Sequence, residues 1–165
     1  LWLGRGVPLS AVILGKQDKG RRGGTENLLG WAGLGKAAEM IQPEVFNERT
    51  LLLRTELESA ILARIPGVRI NGAGAPRVGN TTNLSFQGVQ GDGLVMAMDL
   101  EKFSVSAGSA CTSGAIEPSH VLLAMGLSKQ EATAALRVSV SPDQRWSEVA
   151  PFVDALEKVI QRFRR

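Results

Sequence analysis

The chain has 165 residues, 44% apolar and 21% charged, a balance that supports a folded core and argues against disorder. Its single cysteine, Cys111, excludes an intrachain disulfide and a cysteine-based zinc site, and its single histidine, His120, excludes a multi-histidine metal site. The net charge is +3, no apolar run has membrane-spanning length, and Leu1-Trp-Leu-Gly-Arg5-Gly6 lacks a signal-peptide layout, so neither a membrane nor secretion is expected.

The chain opens at Leu1 without a methionine, and Leu1-Trp-Leu3 reads as a strand, so it is expected to be a piece of something longer. Residues 1–37 hold six Lys and Arg against Asp18 and Glu26, a local charge of +4, while the remainder carries −1. The electropositive focus is Lys16 to Thr25, which suits a solvated loop, a nucleic acid or a phosphate. The chain has no tyrosine and this stretch no aromatic residue, so base stacking is unsupported and nucleic acid is not expected as a partner. Leu28, Leu29, Ala32, Leu34 and Ala38, with three glycines among them, predict a closely packed helix over 27–41. Within it, Gly30 to Lys36 matches the GxxxxGK spacing of a phosphate loop. Ala37 stands where a Ser or Thr must reach magnesium, and no strand leads in, so the match is read as chance.

Pro43 opens a long helix to about Arg64, with Val45, Phe46, Leu53, Leu57, Ala60 and Ile61 on one side, and Pro66-Gly67 stops it. Val68–Ile70 reads as a strand, 71–81 as a loop and Asn83–Phe86 as a strand; 92–100 reads as a helix and Phe103–Ser106 as a strand. After the small residues of 106–114 come helices at 119–125 and 128–134, the second opened by the capping box Ser128…Glu131. Ala135–Val140 is a strand, and Trp146–Arg162 a final helix burying Val149, Phe152, Val153, Leu156 and Ile160. From about residue 40 onward this order describes an α/β sandwich.

Three segments carry candidate chemistry. In Gly20-Arg-Arg-Gly-Gly-Thr25-Glu-Asn27, glycines let backbone amides approach an anion, Thr25 supplies a hydroxyl, and a helix starting near Asn27 presents its positive end. The bland alternative is a basic turn before a helix. Cys111 lies in Val105-Ser-Ala-Gly-Ser-Ala-Cys111-Thr-Ser-Gly114. A lone cysteine is usually buried and inert, but these neighbours have no bulk to bury it, so an exposed, mobile thiol is expected. His120 is expected to cap or pack at the start of a helix rather than to form a dyad with Cys111. Arg137 interrupts an apolar strand on the face opposite Leu136 and Val138. It is either a surface salt-bridge former or a planar fork for a substrate carboxylate.

Four segments occur in order: Gly20 to Asn27, Arg77-Val-Gly-Asn-Thr-Thr-Asn-Leu-Ser-Phe86, Ser106-Ala-Gly-Ser-Ala-Cys-Thr-Ser-Gly-Ala-Ile-Glu-Pro-Ser-His120, and Leu136-Arg-Val-Ser139. Together they resemble the carboxy-terminal half of cysteine desulfurases, pyridoxal 5'-phosphate (PLP) enzymes of the class-V aminotransferase superfamily and of fold type I. The cysteine segment is similar to that of the group serving nitrogen fixation and iron–sulfur assembly. The resemblance implies a small α/β domain over 39–165 and a remnant of the large PLP-binding domain over 1–38. It implies that Cys111 takes sulfur from L-cysteine as a persulfide, leaving L-alanine, for delivery to a sulfur-acceptor or iron–sulfur scaffold protein. It further implies that Arg137 holds the substrate carboxylate and that Thr25 bonds the PLP phosphate of a neighbouring subunit, hence a homodimer. A place in the bacterial cytoplasm, or in an organelle that assembles iron–sulfur clusters, is implied by the same likeness.

The family's Schiff-base lysine and the side chains that hold the cofactor ring have no counterpart in these segments, so the chain alone is expected to be inactive. Ser141-Pro142 also stands where the family usually has Gly-Arg. The alternatives are a related enzyme, such as a selenocysteine lyase or another class-V activity, and a non-catalytic domain that binds a partner or relays sulfur through Cys111.

Overall fold

The computed structural model describes residues 3–89, 93–107 and 118–164, which divide into two units, Leu1–Ile41 and Gln42–Arg165. In the first unit the basic stretch folds back on itself. α1 (Gln17–Gly20) is a single irregular turn in which Asp18 and Lys19 have positive φ. The chain crosses itself at Gly15 and Gly23. A Cβ on Gly15 would lie 2.3 Å from the Gly23 Cα, so neither side of the crossing has room for a side chain. α2 (Leu28–Met40) is capped by Asn27, whose Oδ1 accepts from the Gly30 amide at 3.0 Å. Gly30 to Ala37 lie inside this continuous helix, whose amides are used by its own ladder, in keeping with a chance phosphate-loop match.

Two expectations fail in this unit. Leu3 is not in a strand, while Leu1 and Trp2 lie outside the described residues. No residue of α2 is buried: Leu28, Leu29, Trp31 and Leu34 spread around the helix instead of forming one stripe, and nothing else in this short unit covers them.

In the second unit Pro43 sits in the first turn of α3 (Pro43–Arg64), where its missing N–H is no loss. β1 (Val68–Ile70), β2 (Thr81–Phe86), α4 (Leu94–Leu100), α5 (His120–Ala124), α6 (Lys129–Thr133), β3 (Ala135–Ser139) and α7 (Trp146–Phe163) come after it. The strands form an antiparallel sheet in the order β1-β2-β3, with Leu84 opposite Leu136 and Asn83 opposite Arg137. The two-residue period therefore gives the sheet two different faces. Leu84, Phe86, Leu136 and Val138 join Leu57 and Ile61 of α3 and Leu156 and Ile160 of α7 in the main core. Thr81, Asn83 and Ser85 share the other face with Ala135, Arg137 and Ser139. Among the described residues, part of that face is covered by the small cluster of Leu122, Leu127, Ala132 and Ala135, and part by Asn71.

Most predicted elements are present, with ends displaced by a residue or two. Phe103–Ser106 is a correction: it forms no strand, and only Ser106 bridges to Arg137. On α3 the inward row also differs, since Val45 and Phe46 are exposed while Thr50, Arg54 and Glu58 are buried. The loop after β1 supplies partners to Arg54 and Glu58, while the Thr50 hydroxyl donates back to Phe46 O of α3. His120 neither caps nor packs inward. It is exposed, because buried Ser119 holds the N-cap position of α5 and Leu122 turns to the interior.

The capping box of α6 forms as expected. Ser128 Oγ accepts from the Glu131 amide at 3.2 Å, and the Glu131 carboxylate accepts from the Ser128 amide at 2.8 Å. The bonds that the carboxylate accepts from the Ser128 amide first and from its hydroxyl second hold the Glu131 carboxyl below its ordinary range. Ser128→Ala is expected to lower stability by about 1 kcal/mol. The change should appear as a lower urea midpoint at unchanged slope.

Candidate functional site

Arg137 is held from both sides. Its backbone pairs with Asn83 across β2, and on the opposite edge its N–H donates to Ser106 O at 2.7 Å while Ser106 N donates to Arg137 O at 3.1 Å. The guanidinium projects from the polar face, exposed, with one hydrogen bond from Nη2 to Ser106 Oγ at 3.3 Å and no acidic partner among the described residues. It opens onto a cleft of about 390 Å³ bounded by Pro76 and Arg77 on one side and Leu122 and Met125 on the other. An unpaired guanidinium fork over an apolar wall suits a small ligand bearing a carboxylate.

The floor of the cleft is an amide cluster. Asn71, only 4% exposed, donates its backbone N–H to Asn83 O at 2.8 Å. Its Nδ2 donates to Asn83 Oδ1 at 2.6 Å and to Ser85 Oγ at 2.8 Å.

The wall is pinned to α3 by buried charge. Arg77 grips Glu58 with two bonds of 2.7 and 3.1 Å, Arg54 of α3 donates to Val78 O, and the Gly79 amide donates to Asn47 Oδ1 at 3.0 Å. A Cβ on Gly79 would meet Asn47 O at 2.6 Å, so only glycine lets the loop lie this close to the helix. Burial pushes the Glu58 carboxyl up, but the hydrogen bond from Arg77 and the charges of Arg77 and Arg54 outweigh it and hold the group below its ordinary value.

Thr25 lies in the other unit. It is exposed, two residues before the cap of α2, and comes after Gly24, whose φ of +92° leaves open space where a Cβ would stand. Arg22 turns inward to Gly24 O at 2.8 Å and to Glu26, so its charge is already paired. An open hydroxyl, an unobstructed glycine and the positive end of a 13-residue helix fit the phosphate end of a cofactor. Cys111 lies outside the described residues. The described positions on either side of its segment, Ser106 and Ser119, both belong to the Arg137 site: one is bonded to Arg137, the other lines the cleft.

Sequence reasoning singled out Arg137 and Thr25 but gave no role to Asn71, Asn83, Glu58 or Arg77. Strand alternation, which places Asn83 and Arg137 on one face, was the available signal for Asn83. No signal pointed to Glu58, because a Glu four residues after an Arg on a helix reads as a surface pair. Among the described residues no cluster of acidic, histidine or cysteine side chains could hold a metal ion, and no helix is long and apolar enough to cross a membrane.

A mixed layer of helices over a three-stranded antiparallel sheet, with a cationic cleft that Arg137 opens onto, defines a recognisable class. The family model for aminotransferase class-V matches residues 6–152, and the chain belongs to that family. Membership implies PLP in the intact enzyme. Among curated relatives the chain is 37% identical over 167 residues to a cysteine desulfurase of Trichormus azollae, covering 99% of this chain and 42% of that protein. The fold is similar to part of a NifS-like protein from Rickettsia africae ESF-5, with a TM-score of 0.79, 28% identity, and coverage of 94% of this chain and 41% of that one. A structure of SspA in complex with cysteine aligns over 83% of this chain and 37% of that one, with a TM-score of 0.57 and 32% identity. The chain thus spans about two fifths of the length of the proteins it matches.

Proposed function

We propose that this chain is the cysteine-bearing part of a cysteine desulfurase, which moves the sulfur of L-cysteine onto Cys111. The observation that carries this is the Arg137 cleft: a guanidinium without an acidic partner among the described residues is bonded to Ser106, five residues from Cys111 along the chain. Five residues span at most about 18 Å, so the thiol has the reach to meet a substrate held there by its carboxylate.

In this scheme Arg137 receives the substrate carboxylate, and Leu122 and Met125 shield one side of it from water. PLP, when bound, supplies the electron sink that weakens the substrate's carbon–sulfur bond. Cys111 attacks as thiolate: the new sulfur–sulfur bond forms as the carbon–sulfur bond breaks, and the carbon skeleton keeps the electron pair, takes a proton and leaves as L-alanine. Thr25 and the start of α2 hold the phosphate end of the cofactor, from a neighbouring copy of the chain in a homodimer. The persulfide then passes to a sulfur-acceptor or iron–sulfur scaffold protein. In domain terms, 1–38 is part of the PLP-binding domain and 39–165 the small domain.

The test is a persulfide assay with this chain joined to the lysine-bearing portion that its relatives carry ahead of it. With L-cysteine and PLP, mass spectrometry should show one added sulfur on Cys111 and matching L-alanine, the sulfur lost in Cys111→Ala; the 165-residue chain alone should give neither. Sulfur release at an unchanged rate in Cys111→Ala would instead favour a selenocysteine lyase or another class-V activity.

A further inference from the structure

We propose that Asn83 is a second carboxylate-positioning residue, its amide set in the donating sense by Asn71; the proposal rests on the carboxylate role of Arg137. Asn83 stands directly opposite Arg137 across the β2–β3 pair, so the two side chains leave the same face of the sheet as nearest neighbours. Asn71 occupies the Asn83 Oδ1 with a 2.6 Å bond from its own Nδ2. The other N–H of that Nδ2 goes to Ser85 Oγ at 2.8 Å, and burial keeps the Asn71 amide from turning. With its oxygen taken, Asn83 has only its two N–H donors to offer, and no described residue accepts from them.

The surroundings give those donors a purpose. No acidic side chain lines the cleft among the described residues, and the other cation there, Arg77, is already neutralised by Glu58. Beside the Ser119 hydroxyl, which can donate or accept, the polar groups that the described side chains turn to the cleft are donors: the fork of Arg137 and the amide N–H groups of Asn83. A carboxylate has about four lone-pair positions on two oxygens, more than one guanidinium fork fills, and an adjacent amide N–H can take one that remains. Asn71 Oδ1 is buried without a partner among the described residues. A buried amide with one unpaired atom is less stable in place than a packed apolar side chain of the same shape. Its presence at the cleft floor is accounted for by what its two N–H groups do, which is to fix the Asn83 amide.

The test uses the 165-residue chain labelled with ¹⁵N. It is titrated with L-alanine, the expected product that carries the carboxylate, and with ethylamine, which lacks it. Saturable shifts at the Arg137 side chain and the Ser106 amide are expected with L-alanine alone. Asn83→Asp puts an anion beside Arg137 and should weaken L-alanine binding at least tenfold, and Asn83→Ala several-fold. Asn71→Ala frees the Asn83 amide without altering the charge of the cleft, and should also weaken binding several-fold. Arg137→Ala should abolish it. If the unsubstituted chain shows no saturable shift, or Arg137→Ala leaves binding intact, the carboxylate role of Arg137 falls and this proposal with it. If Arg137→Ala abolishes binding while both Asn83 variants and Asn71→Ala stay within twofold of the unsubstituted chain, the role of Asn83 alone is overturned.

Discussion

Glu58→Ala is expected to destabilise the Gln42–Arg165 unit by about 3 kcal/mol, the lower end of the loss caused by removing one partner of a buried ion pair. Glu58 is buried on α3 between two guanidinium groups, and the side chains of Arg54 and Arg77 are 8% and 20% exposed. Neither arginine can shed its proton, so taking away the carboxylate leaves positive charge in a poorly solvated place. The same change releases Arg77 from the cleft wall, so the cleft should lose definition together with the fold. Urea unfolding monitored by circular dichroism measures the loss. A decrease under about 1 kcal/mol would mean that water already reaches the pair, as at an ordinary surface salt bridge.

The pH dependence has a definite sign. The folded-state carboxyl of Glu58 is held below its ordinary value, so in acid the unfolded chain binds the proton more readily than the folded one. Stability from this group is fully present above the unfolded carboxyl pKa of about 4.3 and is lost as pH falls through the lower folded value. Glu58→Gln should therefore flatten part of the acid limb of stability against pH and leave the slope between pH 6 and 8, measured with the same buffers, as it was.

How much of this was legible in the sequence depended on whether a residue's role was local. The ends of α3 were readable because Pro43 starts the helix and Pro66-Gly67 stops it. The capping box at Ser128 and Glu131 closes within one turn. Strand alternation put Arg137 on the face away from Leu136 and Val138, where it lies. What sequence reasoning missed depends on partners distant in the chain. Arg54 and Glu58 are buried only because the loop at Arg77 to Gly79 returns to α3, a contact across roughly twenty residues. Asn71 and Asn83 meet only once β1 and β2 are in register. The reading of Phe103–Ser106 as a strand failed for a related reason. Its pattern suits an edge, but only Ser106 bridges to a strand, at Arg137, while the Phe103 amide turns back to Met98 O. Ser141-Pro142 opens the turn to α7, with the Ser141 amide donating to Gln144 Oε1 at 2.8 Å.

Leu156→Ala is expected to have the other large effect, a loss of about 2–5 kcal/mol. Leu156 is fully buried on α7, within the inward series Val149, Phe152, Val153, Leu156 and Ile160, and belongs to the same core as Leu57, Leu84 and Leu136. The helix is also tied to α3, whose Arg64 bonds Asp154 at 2.6 Å and Glu157 at 2.9 Å. Those ties resist collapse around the missing atoms, so the cavity persists and its cost adds to the lost burial. At roughly 4 °C per kcal/mol for a unit of this size, the Tm should fall by about 8–20 °C in a thermal melt. Leu156 packs on the core face of the sheet and Arg137 projects from the other. Well below the new Tm, the variant should therefore keep the L-alanine response at Arg137 within about twofold, a difference of only some 0.4 kcal/mol. Loss of that response in a variant that still melts cooperatively would mean that core packing sets the cleft through the sheet. Glu58 would then not be the main support of its wall.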